Sequence, residues 1–398
     1  MGLQDADEPS RPIRIFISTG EVSGDLQGSR LVQALLRQAE AVNQPLDILA
    51  LGGDRMAAAG ATLIEHTSAI GSVGILEAIP FLFSGLKIQQ RVHAQLTATP
   101  PDVVVLIDYF GVNLGVGRAV QRHFPQVPML YYIAPQEWVW SLSPRNTQRI
   151  IGLSDRILAI FKAEADYYQR HGADVAWMGH PLLDWVSEAP TRADARQRLG
   201  LSVEQPAIAL LPASRRQEMR YLLPVMFAAA RRIQDQVPDV HFWIPASLAA
   251  YRPALERAVQ TYGLHATVLD GQAHDAIAAA DVVIGKSGTV NLETALMNVP
   301  QVVLYRVHPL TAWIARHLLH FSIPFMSPTN LAVMKPVVPE FLQDAATPQA
   351  IAQATLDLLL NPERRQQMQA DYDQVRQALG QPGVSDRVAQ AIFTQVKS

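Results

Sequence analysis

The 398-residue sequence contains no cysteine, which excludes disulfide bonds and cysteine-ligated zinc sites. Its net charge is only −3 and its basic residues are scattered, so it lacks the basic surface of a nucleic-acid-binding protein. No apolar run reaches the roughly 18 residues of a membrane-spanning helix, and the N-terminus lacks a signal-peptide pattern. We therefore expect a cytoplasmic protein, soluble or membrane-associated, with no nucleic-acid partner.

Two nucleotide-binding signatures are also missing, because neither G-x-G-x-x-G nor a Walker phosphate loop occurs. The hydrophobic fraction of 49% and the charged fraction of 17% are ordinary for a globular protein. A chain of 398 residues is long enough for two or three domains with separate cores. The composition thus predicts a multidomain globular protein without either phosphate loop.

Short apolar runs alternate with helical patterns along the chain. The runs are LDILALGG, PDVVVLIDYF and PMLYYIAP in the first half, and PAIALLPASRR, VHFWIPAS, HATVLDG, DVVIGKSGT and QVVLYRV in the second. This alternation predicts parallel strands covered on both faces. We expect an α/β protein with two Rossmann-like domains, 1–187 and 188–365, facing each other across a cleft, and a C-terminal helical tail, 366–398. This is the layout of the glycosyltransferase B-type fold, which epimerases and binding proteins share.

The stretch ISTGEVSGDLQ joins the first predicted strand, Ile13–Ser18, to a helix expected from about Asp25. Glu21 and Ser23 lie between two glycines, directly before Asp25. In open parallel sheets, ligands bind beyond the carboxyl ends of the strands, where this loop lies. Capping of the helix by Ser23 or Asp25 would explain the same residues. The loop is therefore either a capped turn or part of a site.

The stretch DVVIGKSGTVNLE places two glycines between a strand and a helix that starts near Thr289. Ser287, Gly288, Thr289 and the free N–H groups of that helix are suited to hold a diphosphate. Glu293, one turn later, is placed to accept hydrogen bonds from both ribose hydroxyls. The alternative is a capped helix with an acidic first turn.

Two more strand ends carry candidate groups. Asp108 ends a buried strand and is placed to take a proton from a sugar hydroxyl. Asn113 opens the following helix, as a site residue or as its cap. Ser214 and Arg215 lie in LLPASRR, where an arginine can bind phosphate oxygens and stabilise a departing UDP.

Aromatic and apolar segments give further candidates with two interpretations each. Glu137, Trp138 and Trp140 follow a strand, where the rings either stack on a sugar and acyl chains or fill the core. His180 is either catalytic or structural. The apolar stretch SVGILEAIPFLFSGL, with 79–86 in particular, and the segment 313–325 either contact a bilayer surface or pack inside the protein.

Eight ordered motifs together resemble the lipid-A-disaccharide synthase family of B-fold glycosyltransferases. They extend from about Arg14 to beyond Gln343 and are GEVSGD, GGDRMAAAG, VGILEAIP, GHPLLD, LLPASR, SGTVNLETAL, YRVHPLT and VVPEFLQ. The resemblance implies transfer from UDP-2,3-diacylglucosamine to 2,3-diacylglucosamine 1-phosphate with inversion at the anomeric carbon. The products would be a β-1,6-linked disaccharide 1-phosphate and UDP. It implies no metal and no cofactor.

The resemblance also assigns roles to individual positions. Asp108 matches the family's essential aspartate, and Arg215 is the second expected catalytic residue. The expected substrate-binding residues are Glu21, Ser23, Asp25, Asn113, Ser214, Ser287, Gly288, Thr289, Glu293 and Asn330. The family further implies a homodimer, whose C-terminal segments are exchanged between subunits or pack on the first domain, at the cytoplasmic face of the inner membrane.

Three stretches depart from the family pattern. Gly111 replaces the second aspartate of I-D-A-P-D-F-N, and Ser141 replaces the arginine of S-V-W-A-W-R. The pattern N-L-L-A-G-R-E loses its glycine and glutamate within Val333-Met334-Lys335-Pro336. These changes concern the acceptor and its acyl chains more than the UDP-sugar.

Two other functions fit the same layout. One is another UDP-sugar enzyme of this fold, a 2-epimerase or a peptidoglycan-type glycosyltransferase. The other is a non-catalytic protein that binds UDP-sugars or lipids. The presence of Asp108, Arg215 and Glu293 together argues against the second, since a binding protein has no use for a catalytic base.

Overall fold

A computed structural model of the chain describes residues 11–67, 79–108, 110–141, 143–212, 216–308, 311, 313 and 323–397. The chain divides into two compact units, Met1–Pro181 with Gln381–Ser398, and Leu182–Gly380. The sequence predicts a division after residue 187 and a separate tail from 366. The structure assigns 182–187 and 366–380 to the second unit, and only the segment from Gln381 onward returns to the first.

The first unit is built on a parallel sheet, whose described strands run in the order β3-β2-β1-β4-β5-β6-β7. Because β1 and β4 are neighbours, the order of the strands reverses between them, and this is the position at which open α/β sheets bind ligands. The strands are β1 (Ile13–Ser18), β2 (Leu46–Gly52), β3 (Thr62–His66), β4 (Val103–Ile107), β5 (Met129–Tyr132), β6 (Arg156–Ala159) and β7 (Val175–Trp177).

Helices cover this sheet. They are α1 (Val22–Ala41), α2 (Asp54–Ala58), α3 (Ile79–Ala98), α4 (Phe110–His123), α5 (Pro144–Ile151) and α6 (Lys162–Arg170), together with the last helix of the chain, α16 (Val384–Lys397). The last helix packs on α1 and buries Val384, Val388 and Ile392 completely. Arg37 of α1 pairs with Asp386 at its exposed edge.

The second unit has a parallel sheet in the order β10-β9-β8-β11-β12-β13. Its strands are β8 (Ala207–Leu211), β9 (His241–Ala246), β10 (Ala266–Asp270), β11 (Val282–Lys286), β12 (Gln301–Tyr305) and β13 (Glu340–Leu342). Its helices are α7 (Leu182–Val186), α8 (Arg192–Arg198), α9 (Arg216–Gln236), α10 (Arg252–Tyr262), α11 (Ala273–Ala279), α12 (Val290–Leu296), α13 (Pro328–Val333), α14 (Pro348–Leu360) and α15 (Pro362–Leu379).

Helix α15 belongs to the second unit for a physical reason. Its residues Met368, Tyr372, Val375 and Leu379 are buried. The Tyr372 hydroxyl donates a hydrogen bond to the backbone oxygen of Val299 over 3.1 Å. The helix therefore completes the core of the second unit, although its sequence is as charged as an exposed tail.

Two parallel sheets with alternating helices confirm the predicted α/β class. Central strands such as β4 and β8 are buried along their whole length, as their unbroken apolar sequence predicts. Within the described ranges, no helix combines the length and the apolar character that crossing a bilayer requires.

Candidate active site

Asp108 follows β4 and meets the loop after β1, where the strand order of the first sheet reverses. The Ser23 hydroxyl lies 3.3 Å from Asp108 Oδ2 and 3.4 Å from Glu21 Oε2. Burial and, to a smaller extent, the negative charge of Glu21 raise the pKa of Asp108 to about 6, against the lowering effect of the hydrogen bond from Ser23. The Asp108 carboxylate therefore shares one site with the Glu21 carboxylate and the Ser23 hydroxyl, although it lies 85 residues after Ser23.

The backbone of Asp108 is held in an uncommon conformation. Its φ angle is +55°, in the left-handed region that side-chain-bearing residues other than Asn and Asp seldom adopt. The Tyr131 hydroxyl donates to the Asp108 carbonyl over 2.8 Å, and the Asp108 amide donates to Ile133 O over 3.1 Å. Ile133 itself has a φ of +56°, which is rarer still for a β-branched residue. Strain of this kind is typical of functional sites.

Asn113 lies inside the first turn of α4 and is completely buried. Its Oδ1 accepts a hydrogen bond from the Ser18 hydroxyl over 2.8 Å, and its Nδ2 donates to Ile107 O over 2.9 Å. It therefore ties the end of β1 to the end of β4. With these contacts Asn113 fixes the position of Asp108, and a direct contact with substrate stays a prediction.

Asp25 is buried, and its carboxylate binds backbone amides of another segment. Oδ1 accepts hydrogen bonds from Gly53 N at 2.8 Å and Met56 N at 3.2 Å, and Oδ2 accepts one from Arg55 N at 3.3 Å. Asp25 thus stabilises the N-terminus of α2. Its predicted contact with substrate is a further role that these hydrogen bonds do not supply.

Helix α1 begins at Val22, earlier than the sequence predicts. The reason is that the Asp25 amide already donates to Glu21 O over 2.9 Å, which is the first bond of the helix. Glu21 is the N-cap residue, without a side-chain capping bond. Gly24 is required here because a Cβ at this position would lie 1.8 Å from Thr19 Oγ1. Capping of α1 by Ser23 or Asp25 is therefore wrong.

Glu164 is a buried carboxylate beside this site that sequence reasoning missed. It lies in the first turn of α6, and its Oε2 accepts hydrogen bonds from Ile160 N at 2.9 Å and Phe161 N at 3.1 Å. Burial, with a small contribution from the charge of Asp108, raises its pKa to about 7 against the lowering effect of these amides. The sequence does carry a local indication of this residue, because Glu164 is the third residue of a helix that follows the strand RILA, where a glutamate can bind the free backbone amides of the helix start.

The aromatic segment after β5 packs against Phe161, the residue directly before α6. Trp138 contacts the Phe161 ring at 5.5 Å between centroids, and His180 meets that ring edge-on at 5.0 Å. Burial lowers the pKa of His180 to about 3, so its imidazole is neutral at physiological pH. Glu137 accepts hydrogen bonds from Ser141 and Asn146. Core packing thus accounts for His180.

In the second unit, the predicted diphosphate loop follows β11 at the point where that strand order reverses. The Ser287 hydroxyl donates to Met326 O over 2.6 Å, and the Gly288 amide donates to Asn291 Oδ1 over 2.9 Å. Thr289 is exposed directly before α12. Asn291 also donates to Lys286 O over 3.1 Å. This buried asparagine, which the sequence analysis did not single out, holds the loop in place.

Glu293 lies in the first turn of α12, as predicted, with its side chain largely buried. Its Oε2 lies 3.2 Å from Nε2 of His274, a residue of α11 that the sequence analysis did not single out. Lys286 is half-buried at the end of β11, with its Nζ close to Gly288. A carboxylate of α12 and an imidazole of α11 therefore meet, and the cation of Lys286 ends β11, directly before the loop that leads to α12.

Residues 15–394 match the model of the lipid-A-disaccharide synthetase family. Lipid-A-disaccharide synthases from Gloeothece citriformis and Synechocystis sp. are 54% and 52% identical over 384 and 383 residues. These alignments cover 96% of this chain and 100% and 97% of the two relatives.

The chain belongs to the lipid-A-disaccharide synthase family.

Solved structures with low sequence identity share its fold. S. aureus MnaA with UDP has a TM-score of 0.66 at 16% identity and covers 97% of both chains. UDP-GlcNAc 2-epimerase from Neisseria meningitidis, bound to UDP-GlcNAc, has a TM-score of 0.62 at 12% identity over 96% of this chain and 100% of that chain. MurG from Acinetobacter baumannii reaches 0.58 at 15% identity with the same coverage. These likenesses confirm the predicted glycosyltransferase B-type fold.

Membership of the lipid-A-disaccharide synthase family gives the departures from its pattern a structural meaning. Met334 stands where the family pattern has glycine, and its φ angle is +53° at the C-terminus of α13. The position demands a left-handed backbone, which glycine adopts without strain. Met334 therefore carries strain in this member of the family.

Asn330 is buried and uses its whole amide within the second unit. Its Nδ2 donates to Val338 O at 2.9 Å and Glu340 Oε1 at 2.7 Å, and its Oδ1 accepts from Val338 N at 2.8 Å. These contacts join α13 to β13. The predicted contact of Asn330 with substrate stays a prediction.

Several predicted residues lie outside the described part of the chain. They include Ser214 and Arg215 and residues 314–322 of the second apolar segment, and of residues 79–86 only the backbone is described. Of the segment 313–325, Trp313 is described and is 52% exposed. Among the described residues, no group of three or more histidine and carboxylate side chains is arranged to hold a metal ion.

Proposed function

We propose that the chain catalyses the family reaction, transfer of 2,3-diacylglucosamine from its UDP donor to 2,3-diacylglucosamine 1-phosphate. The 6-hydroxyl of the acceptor attacks the anomeric carbon from the face opposite UDP. A bond forms between O6 and that carbon, the bond to the UDP oxygen breaks, and the hydroxyl proton passes to a base. The family match over almost the whole chain supports this reaction.

Asp108 is the base in this proposal. A carboxylate with a pKa of about 6 is mostly ionised at neutral pH and more basic than an ordinary aspartate. Ser23, Tyr131 and Asn113 hold its side chain and backbone, so its position is fixed before substrate binds. The observation that carries the proposal is this convergence on one carboxylate at the switch point of the first sheet.

The UDP moiety binds the second unit. Thr289 contacts the diphosphate with its backbone amide and its hydroxyl. Ser287 and Gly288 shape the loop around the diphosphate through their hydrogen bonds to Met326 O and Asn291 Oδ1. Glu293 accepts hydrogen bonds from the ribose. Ser214 and Arg215 contact the departing phosphate, as their sequence context suggests. Structures of the same fold that hold UDP or UDP-GlcNAc support a UDP site in this chain.

The substrates suggest where the enzyme works. Both carry acyl chains, and exposing methylenes to water costs about 0.8 kcal/mol each, so transfer at the cytoplasmic face of the inner membrane is favoured. The exposed Trp313 and the apolar segment 79–86 are the proposed contacts with the bilayer. A homodimer remains part of the proposal by family likeness alone.

The decisive experiment measures UDP release with defined acceptors. The proposal expects release from UDP-2,3-diacylglucosamine only when 2,3-diacylglucosamine 1-phosphate is present, together with a disaccharide product identified by mass. Interconversion of UDP-GlcNAc and its 2-epimer without an acceptor would instead support the epimerase. Binding of UDP-sugar without turnover of any acceptor would support the non-catalytic alternative.

A further inference from the structure

His274 and Glu293 meet on two neighbouring helices of the second unit. His274 lies in the first turn of α11, and Glu293 lies in the first turn of α12. His274 Nε2 and Glu293 Oε2 are 3.2 Å apart, within hydrogen-bond distance. The Glu293 residue is only 9% exposed, so this contact is shielded from competition by water.

The imidazole is held from its other side as well. The Trp185 ring approaches His274 at 4.3 Å between centroids and 68° between planes, an edge-on contact. Gln272, directly before α11, has a φ of +52°, so the chain makes a sharp turn that brings His274 to this position. The turn at Gln272 therefore places His274 beside Glu293, and the Trp185 ring limits the orientation of its imidazole.

The two oxygens of Glu293 are in different situations. Oε2 has His274 as its partner, whereas Oε1 has no hydrogen-bond partner among the residues that the structure describes. The carboxylate is thus anchored through one oxygen, with the second left to accept a hydrogen bond from a ligand.

We propose that His274 is a positioning residue for recognition of the ribose, and that it holds Glu293 in the rotamer that accepts the ribose hydroxyls. This inference rests on the proposed UDP site. In this proposal the imidazole donates its Nε2 proton to Oε2, and Trp185 keeps the ring in that orientation. Because the Glu293 side chain is already ordered, binding of the nucleotide does not carry the entropic cost of ordering it.

Two variants of His274 separate its hydrogen bond from its ring contact. His274→Phe keeps an aromatic ring against Trp185 and removes the donor, whereas His274→Gln keeps an N–H donor and removes the ring. His265→Phe is the matched control, because His265 is an exposed histidine of the same unit. Titration calorimetry of the full chain with UDP and with 2′-deoxy-UDP measures how strongly the ribose hydroxyl is recognised. Thermal unfolding of each variant confirms that it is folded.

We expect the wild type to prefer UDP over 2′-deoxy-UDP, and Glu293→Gln to reduce this preference strongly. His274→Phe should reduce the preference about 3- to 10-fold, the effect of immobilising one flexible side chain. His274→Gln should retain most of it, and His265→Phe all of it. In a Glu293→Gln background, His274→Phe should add nothing, because the two changes act on one interaction.

The contrary results are distinguishable. An equal loss of affinity for both nucleotides in His274→Phe, or an unchanged preference, would overturn the positioning role while the UDP site stands. A wild-type protein that does not bind UDP, or whose preference does not depend on Glu293, would overturn the nucleotide site of the proposed function and the inference with it.

Discussion

The Ser23 hydroxyl, on the first turn of α1, donates a hydrogen bond of 3.3 Å to the Asp108 carboxylate, which follows β4. The two residues are 85 positions apart in the sequence, and they meet because β1 and β4 are neighbours in the sheet. This hydrogen bond stabilises the ionised form of a carboxylate whose pKa burial and the charge of Glu21 raise. The balance of these three effects sets the basicity of the proposed catalytic group.

Replacing Asp108 by Asn should lower the turnover number by about 10²- to 10⁴-fold, because the amide cannot accept the proton of the acceptor hydroxyl. UDP release from the complete substrate pair measures the effect. UDP affinity, measured by calorimetry, should hardly change, since the proposed UDP contacts lie on β11 and α12. A variant with more than about a tenth of wild-type turnover would move the base to Glu21, the other carboxylate beside Ser23.

The pH dependence of kcat/KM should show an acidic limb near pH 6, which is the raised pKa of Asp108. The base must be ionised, so activity rises with pH through this value and is constant above it. An acidic limb near pH 4 would mean that Asp108 titrates as an ordinary aspartate.

Two neighbours should move this limb in opposite directions. Glu21→Gln removes a negative charge that raises the pKa of Asp108, so the limb should shift to lower pH. Ser23→Ala removes the hydrogen bond that lowers this pKa, so the limb should shift to higher pH. Both shifts are read from the same pH series as the wild type. Parallel shifts in one direction would contradict the assigned causes.

Glu164 should make the stability of the protein depend on pH. Its pKa is about 7 in the folded state against 4.5 for the free side chain, so the folded state binds the proton more tightly. This effect stabilises the folded state by about 3 kcal/mol below pH 4.5, and the stabilisation is lost as the pH rises to about 7. Glu164→Gln should remove most of this dependence, as measured by denaturant unfolding at pH 5 and pH 8.

The matched control is Glu40→Gln, an exposed glutamate of the same unit. It should leave the pH dependence of the free energy of unfolding as in the wild type. If Glu164→Gln and Glu40→Gln behave alike, Glu164 is ionised in the folded protein at ordinary pH values.

Met334 gives a prediction on stability. Met334→Gly should stabilise the protein relative to Met334→Ala by about 1 kcal/mol, because glycine adopts a positive φ without strain. The alanine variant is the proper reference, since both changes remove the same half-exposed side chain. Equal free energies of unfolding would mean that the left-handed turn at this position is not strained.

The sequence predicts most of the strands because they are central and apolar. β4, β8 and β11 lie within the apolar runs PDVVVLIDYF, PAIALLPASRR and DVVIGKSGT, and they are buried except at Lys286. The short strands β6 and β7 lie toward one edge of the sheet and carry Arg156 and Trp177, so their pattern is weak. Whether such a segment forms a strand depends more on pairing with a neighbouring strand than on the intrinsic preference of its residues.

The sequence indicates which positions are candidates for the site, but it does not indicate their contacts. Asp108 and Glu293 follow from strand ends and glycine loops, which are local features of the sequence. The partner of Asp25 is the backbone of Gly53 and Met56, and the partner of Glu293 is His274. These pairings depend on the order of the strands in the sheet, and the local sequence patterns that predict each strand do not reveal that order.

The return of α16 to the first unit bears on how the chain is made. A ribosome completes 182–380 before it reaches the helix that fills the core of the first unit with Val384, Val388 and Ile392. Domains generally fold in the order of their synthesis, but here the contiguous second unit is complete while the earlier one still exposes an apolar face on α1. Aggregation of the first unit, or its capture by a chaperone, is therefore most favoured while residues 182–380 are being synthesised.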